Sequence, residues 1–314
     1  MTFGGPAEYA RAMRFGVAIE APIAWPDLLA LATEIERNTR YDFLWISDAL
    51  VANGPPDLPR LDAWVALTAI AQATSRLRLG VLVSGNAFRH PAVLAKMVTT
   101  VDHISNGRVE LGFGAGWPGE NRRYGIDFWK RPERMARFEE AVQVIKALWT
   151  QTRPKFDGAY YRLDEPPYSP ANVQHPHPPI LIGGGSEAML RTIARYADAA
   201  NPMIEVTAAF GKIDGYCREI GRDPSVIRRT LEIQLFLHDD PAVQRRAVEW
   251  AAKQYGRTEE QVRTESLFGS VDAVRDGVRR LRDAGLQELY LFQLPSVHLK
   301  SLRRFSDEII PALL

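Results

Sequence analysis

The sequence predicts a (β/α)₈ barrel, the α/β fold class with one closed parallel sheet. Short apolar, β-rich runs alternate with longer stretches of helical spacing, about eight times along the chain. The strand runs are apolar throughout, as in a parallel sheet covered on its outer face. A chain of 314 residues suits one barrel of roughly 250 residues with insertions.

The elements follow in order. Residues 1–14 read as a loose N-terminal arm and 15–314 as a single domain. Phe15–Ile19 is the first strand, and Asp27–Arg37 the first helix, starting just after Pro26. Phe43–Ile46 and Leu77–Val83 are strands, followed by helices over Leu61–Thr74 and Pro91–Ile104 respectively. Val109–Phe113 is the fourth strand. The fourth helix, Arg134–Trp149, carries Phe138, Ala141, Val142, Ile145 and Leu148 at apolar spacing. Ile180–Ile182, Ala197–Ala200, Thr230–Leu237 and Leu289–Phe292 complete the strands. Helices fall at Glu187–Tyr196, Ala208–Ile220, Ala242–Gln254, Val271–Ala284 and Leu299–Leu313. Two stretches break the rhythm: a long loop after the fourth strand, Gly114–Pro132, and a longer one before the fifth, Thr152–Pro179. The second is rich in Pro and Tyr, with Gly158 turning a small hairpin between Lys155-Phe156 and Tyr160-Tyr161.

Composition excludes several classes. With 46% hydrophobic and 25% charged residues the chain is an ordinary globular protein. Its 39 basic and 38 acidic residues leave a net charge of +1, which removes the usual electrostatic argument for nucleic-acid or membrane partners. The single cysteine, Cys217, allows no internal disulfide and suits a reducing cytoplasm. Within a helical pattern it reads as a small buried apolar residue. Neither a secretory signal nor a membrane-length apolar stretch is present. There is also no metal-ligand spacing, no G-x-S-x-G elbow and no P-loop.

A barrel of this kind places its chemistry at the C-terminal strand ends. Gly183-Gly184-Gly185-Ser186, before a helix, presents backbone N–H groups suited to a phosphate; the competing reading is a tight turn with a serine cap. Gly112-Phe113-Gly114-Ala115-Gly116 lacks the spacing of a dinucleotide fingerprint. It suits close approach of backbone to a planar ligand, or simply a crowded barrel corner. Asp48 is a candidate acid or base, or a cap. His90 stands at a helix entry where it can touch a phosphate, and Trp117 can wall a ring.

These residues lie in four longer stretches: Trp45–Asp48, Leu79–Lys96, Asn106–Trp117 and Pro178–Gly185. Together they resemble the luciferase-like monooxygenase superfamily, in particular its deazaflavin (coenzyme F420)-dependent oxidoreductases, from about Phe15 to the C-terminus. The resemblance implies a deazaflavin ring across the barrel mouth with its phosphate tail on Gly183–Ser186. It implies a non-proline cis peptide near Leu82-Val83 supporting the ring, and places Asn86 and Ser47-Asp48 at the ring edge. The implied cofactor contacts are therefore Asp48, Leu82, Val83, Ser84, Asn86, His90, Gly114 to Trp117 and Gly183 to Ser186.

Three departures matter. Ala49 replaces a histidine common after the second strand. Trp117 stands where sugar-phosphate dehydrogenases of the family carry Glu, which argues against that substrate. Ala200 replaces a bulky aromatic, which would widen the pocket. The expected activity is hydride transfer between the deazaflavin C5 and a small, largely apolar substrate, with Asp48 or a water carrying the proton. Rival readings are an FMN-dependent monooxygenase fed by a partner reductase, and a non-catalytic cofactor-binding protein. Relatives are often dimers, so a homodimer is expected.

Overall fold

The structure, a computed structural model, describes residues 13–51, 57–117, 121–202, 206–294 and 296–313. Most of the expected arm lies outside them. Eight parallel strands close the barrel: β1 Arg14–Ile19, β2 Phe43–Ile46, β3 Arg78–Gly85, β4 Val109–Gly114, β7 Ile180–Gly183, β8 Ala199–Asn201, β9 Arg228–Leu237 and β11 Glu288–Phe292. They are hydrogen-bonded in that order, β8 to β9, β9 to β11, and β11 back to β1. Helices α1 Trp25–Asn38, α2 Ala63–Ala73, α3 Pro91–Ser105, α4 Arg131–Thr150, α5 Glu187–Tyr196, α6 Val206–Glu219, α7 Pro241–Tyr255, α8 Glu259–Thr264, α9 Val271–Asp283 and α10 Leu299–Arg304 connect the strands. The predicted fold therefore stands, to within three residues at most element ends. Pro26, Pro91, Pro132 and Pro241 each sit in a helix's first turn, where the missing N–H costs nothing. Cys217 is buried in α6, as expected.

Three local differences have physical causes. Ser266–Gly269 forms an unpredicted strand, β10, parallel to the outer end of β9. The hairpin pairs β5 Lys155–Asp157 with β6 Arg162–Asp164, further along than predicted. The N–H groups of Ala159, Tyr160 and Tyr161 are already taken by the Glu140 carboxylate of α4, at 2.8, 2.9 and 3.1 Å. The C-terminal helix widens into a π-helical stretch at Phe305–Ile309 and ends in a tight turn at Ile310–Ala312, where Pro311 removes a donor.

Strand alternation sorts the side chains into two sets. Phe15, Val17, Leu44, Leu79, Val81, Leu111, Ile180, Leu231, Ile233 and Leu289 face the helices in the main core. Ala18, Phe43, Trp45, Leu82, Leu181, Ala199 and Tyr290 fill the barrel interior. Gly16 and Gly80 admit these rings: a Cβ at Gly80 would lie 2.1 Å from the Trp45 ring.

Below the rings, at the N-terminal ends of the strands, lies an ionic floor. Glu110 receives Arg78 at 2.6 Å and Arg228 at 2.6 Å. Glu288 receives Arg228 at 2.7 Å, and pairs with Arg14 and the Tyr290 hydroxyl. Both carboxylates are 1% exposed. Burial would raise the Glu110 pKa, but Arg228 and Arg78 outweigh it and hold it at about 2.

Candidate active site at the barrel mouth

The C-terminal strand ends bring together Glu20, Asp48, Asn86, Trp117, Gly183, Asn201, Gln234 and Gln293. Four of these are buried amides, and they differ in how they are satisfied. Asn201 accepts from Glu232 N at 3.0 Å, and Gln293 from His298 N at 2.8 Å. Asn86 is 2% exposed and neither its amide oxygen nor its nitrogen has a partner. Gln234 Nε2 and one oxygen of Glu232 are likewise unpartnered. Tyr161 lies beside Asn86 without reaching hydrogen-bond geometry; burial raises its pKa, and the Asn86 amide pulls it back in part. Buried amides left open are expensive in a finished core and ordinary in a site that awaits a ligand.

The mouth's platform comes from β3. The Leu82-Val83 peptide is cis, at the position the family resemblance implied. The register with β4 slips between Val81 and Ser84. Leu82 and Val83 both pack with the interior set, and Ser84 turns outward. Its hydroxyl accepts Trp64 Nε1 of α2 at 2.8 Å, fully buried. Ser84 thus spends its side chain on the helix packing, turned away from the mouth.

The glycines of β4 answer to the same feature. A Cβ at Gly114 would meet Val83 at 2.8 Å, and one at Gly183 would meet it at 3.3 Å. The crowded-corner reading accounts for Gly112 and Gly114. Ala115 is buried in the outer core, so it offers the mouth backbone only. Gly116, with φ +91°, turns the chain to Trp117, which is 77% exposed.

Asp48 is engaged. Its carboxylate is bidentate to Arg89 at 2.6 and 3.2 Å, and Arg89 also reaches Asp62 at 2.6 Å. Burial raises the Asp48 pKa and Arg89 opposes the rise. A carboxylate clamped by a guanidinium fork is a poor proton carrier and a good loop anchor. His90 caps α3, its Nδ1 accepting Ala92 N at 3.2 Å, and Tyr161 meets the ring edge-on. Burial lowers its pKa, which favours the neutral ring.

Gly183–Ser186 leads into α5. Gly184 adopts φ +123°, and the Ser186 hydroxyl accepts Met189 N at 3.3 Å as the cap. The cap reading therefore accounts for the serine side chain, while Gly183 and Gly184 still line the mouth beside the start of α5. Loop aromatics are spent on cations: Arg137 stacks on Trp129 and Tyr160, and Arg134 on Phe128. Ala200 lies in the outer core at 0% exposed, so the missing aromatic there leaves the mouth unchanged. Among the described residues no group of three or more His, Cys, Asp or Glu could hold a metal ion, and no helix is long and apolar enough to cross a membrane.

The sequence reading missed Glu20 and Glu232. The signal was available: a single acid just past one apolar strand and another within one, both on the inward phase.

The family profile described as luciferase-like monooxygenase matches residues 9–269. The chain belongs to this family. Within the luciferase-like monooxygenases its sequence relatives include a phthiodiolone/phenolphthiodiolone dimycocerosates ketoreductase from Mycobacterium sp. (strain JLS). That relative is 34% identical over 250 residues, which cover 68% of this chain and 63% of the relative. An F420-dependent glucose-6-phosphate dehydrogenase from Kineococcus radiotolerans is 33% identical over 214 residues, 64% of this chain and 61% of the relative. The matches thus span under two thirds of the length of these two relatives. An F420-dependent secondary alcohol dehydrogenase, solved with an F420-acetone adduct, superposes with a TM-score of 0.84 at 20% identity, covering 96% of this chain and 99% of that one. The FMN-bound oxygenating constituent of 3,6-diketocamphane monooxygenase from Pseudomonas putida gives 0.73 at 19%, covering 96% and 99%. These two likenesses are of fold. Family membership rests on the profile match, and two of the sequence relatives are named as a ketoreductase and a dehydrogenase.

Proposed function

We propose that this protein is an oxidoreductase that uses a deazaflavin, coenzyme F420, to exchange a hydride with the carbonyl or carbinol carbon of a small, largely apolar substrate. The observation that carries the reading is Asn86, with both amide atoms buried and open beside the Val83 platform. That is what a planar, heteroatom-edged ring requires: an apolar support under its face and an amide at its edge. The relatives named for F420, and the ketoreductase, support the deazaflavin and the carbonyl. When bound, the deazaflavin supplies a two-electron hydride carrier. Val83 and Leu82 would support the ring, Asn86 would hold its edge, and the backbone of Gly183–Gly185 at the start of α5 would take the phosphate. Arg89 fixes Asp48 and with it the loop after β2. Trp117 offers an apolar face to the substrate.

The test is a fluorescence titration of the purified protein with F420 and, separately, with FMN. Micromolar or tighter binding of F420, with FMN much weaker, is expected. The reverse preference would sink the reading in favour of an oxygen-using monooxygenase supplied by a reductase. Tight F420 binding with no turnover on any carbonyl would point to a cofactor-binding protein. Asn86→Leu separates site from scaffold. It should weaken F420 at least tenfold, about 1.4 kcal/mol, while the protein unfolds at no lower temperature, because no existing hydrogen bond is lost.

A cytoplasmic homodimer completes the proposal. The outer faces of α2 and α3 expose Val65 at 70% and Val93 at 54%, and α2 carries no charged residue. Light scattering should report a dimer, and Val65→Lys should shift it to monomer without loss of fold; a monomeric wild type would discard the dimer.

A further inference from the structure

Of the buried amides at the mouth, Asn201 and Gln293 are bonded to backbone, and Asn86 takes the ring edge in the proposed function. Gln234 is left over. It is 6% exposed and its Nε2 has no partner. Two residues earlier on the same strand face, one oxygen of Glu232 is also buried and open. An unspent donor and an unspent acceptor thus stand about 7 Å apart along β9.

Strand phase aims both inward. Leu231, Ile233 and Leu235 enter the outer core, while Arg228, on the opposite phase, reaches the ionic floor. Contacts fix their height. Glu232 N donates to Asn201 Oδ1 at 3.0 Å, Asn201 is level with Gly183, and a Cβ on Gly183 would meet Val83 at 3.3 Å. Glu232 is therefore close in height to the Val83 platform, and Gln234 stands one inward step nearer the opening. β9 lies four strands from β3 in either direction round the barrel, so Gln234 and Glu232 face Asn86 from the opposite wall.

The surroundings of Gln234 are apolar. Its level neighbours are Phe292 of β11 and Ala18 of β1. Phe236, next on the inward phase, and Phe268 of β10 pack on Val248 and Ala251 of α7 and Val262 of α8. That pair of helices therefore covers this wall from the inward side. Tyr255, the last residue of α7, comes beside Gln234 without reaching hydrogen-bond geometry.

We propose that this wall is the polar pole of the substrate site: Gln234 Nε2 donates to the reacting oxygen of a ketone or secondary alcohol, and the open Glu232 oxygen accepts the alcohol's O–H. The assignment rests on the hydride-transfer reading above. There Asn86 holds the ring edge and the Gly183–Gly185 backbone the phosphate, which leaves the β9 wall to the substrate. One donor set among apolar side chains suits a molecule that is apolar except at one oxygen. A compound lacking that oxygen would leave the donor buried and unpaired, so it is rejected. The electrons balance. The carbonyl carbon gains the hydride, which leaves the cofactor two electrons poorer. The C=O π pair moves onto oxygen, where the Gln234 N–H meets the growing charge, and water at the mouth supplies the proton.

Cyclohexanone is the probe. With oxidised F420 present it cannot be reduced, and infrared difference spectra of the isotopically labelled ketone report its carbonyl. In wild type the bound C=O band should lie below its position in hexane, as a hydrogen-bonded carbonyl does, and in Gln234→Met it should return there. Turnover of cyclohexanone with reduced F420 should fall roughly 10²- to 10³-fold in Gln234→Met, with F420 binding unchanged. Tyr255→Phe should keep both signals. An unshifted band in wild type, or no bound ketone with or without F420, would overturn the pole. So would equal losses in Tyr255→Phe, or weakened F420 binding in Gln234→Met with the ketone signals intact, which would make Gln234 a cofactor contact. If wild type binds no F420, the hydride-transfer reading fails, while the ketone band on the cofactor-free protein still decides the pole. Gln234→Met should unfold at no lower temperature than wild type, since the amide nitrogen it removes has no hydrogen bond to lose.

Discussion

Glu110→Ala should cost about 3–5 kcal/mol, because it leaves Arg228 and Arg78 buried and unpaired at the floor of the barrel. The loss is larger than the worth of the ion pairs themselves, since most of it is the cost of guanidiniums stranded away from water. Urea unfolding at neutral pH measures it, and a loss below 1 kcal/mol would mean the floor is wet. Its pH dependence has a definite sign. Glu110 titrates at about 2 in the folded protein against an ordinary 4.5, so the native state binds the proton more weakly than the unfolded chain does. The stabilisation is full above about pH 4.5, amounts to roughly 3 kcal/mol, and is lost as pH falls towards 2. The deficit of the variant should therefore shrink in acid. Glu20 runs the other way. Raised from 4.5 to about 7, it favours the folded state at low pH, and that advantage is lost as pH rises through about 4.5 to 7.

Gly112→Ala should be at least as damaging as typical overpacking, about 1–3 kcal/mol. A Cβ there would stand 2.1 Å from the Val81 carbonyl oxygen. The obstacle is backbone held in the β3–β4 ladder, so no side chain can swing away to relieve it. Gly215→Ala is the control: it lies within α6, nothing lies within 4 Å of its added methyl, and it should stabilise by about 0.5–1 kcal/mol. Denaturant midpoints of the two variants, compared with wild type, decide the matter. Equal midpoints would show that β3 and β4 can slide apart.

The order of strands and helices was legible because parallel strands buried on both faces write themselves as unbroken apolar runs, and covering helices as periodic ones. Val109 to Phe113 shows it, with Glu110 the single interruption. That interruption was itself the unread signal. Arg14, Arg78, Glu110, Arg228 and Glu288 each lie at the start of a strand on the inward phase, and charges at matched depth in adjacent parallel strands have only one another to meet. Strand β10 was illegible for a different reason: Ser-Leu-Phe-Gly is too short for either period and gains its identity only by pairing with the far end of β9. At the site, motif spacing picked out Asn86, Gly116, Trp117 and Gly183, which the structure carries to the C-terminal strand ends. It could not assign side-chain direction. Ser84 and Ala115 turn away because β3 changes phase at Val83 and because β4 alternates, and Ala200 turns away for the same reason as Ala115. Nor does sequence separation reveal that Arg89 closes on Asp48, 41 positions earlier.

The sealed floor has a consequence for traffic. Charged and aromatic layers stack below the mouth with Glu110, Glu288, Trp45 and Tyr290 all at 1% exposure or less, so the barrel is closed at its floor. On the proposed function, a cofactor and a substrate that meet above this floor would both have to enter from the C-terminal strand ends. Whichever lies deeper has to arrive first and leave last, and the sequence of binding events is then dictated by topology before any affinity is considered.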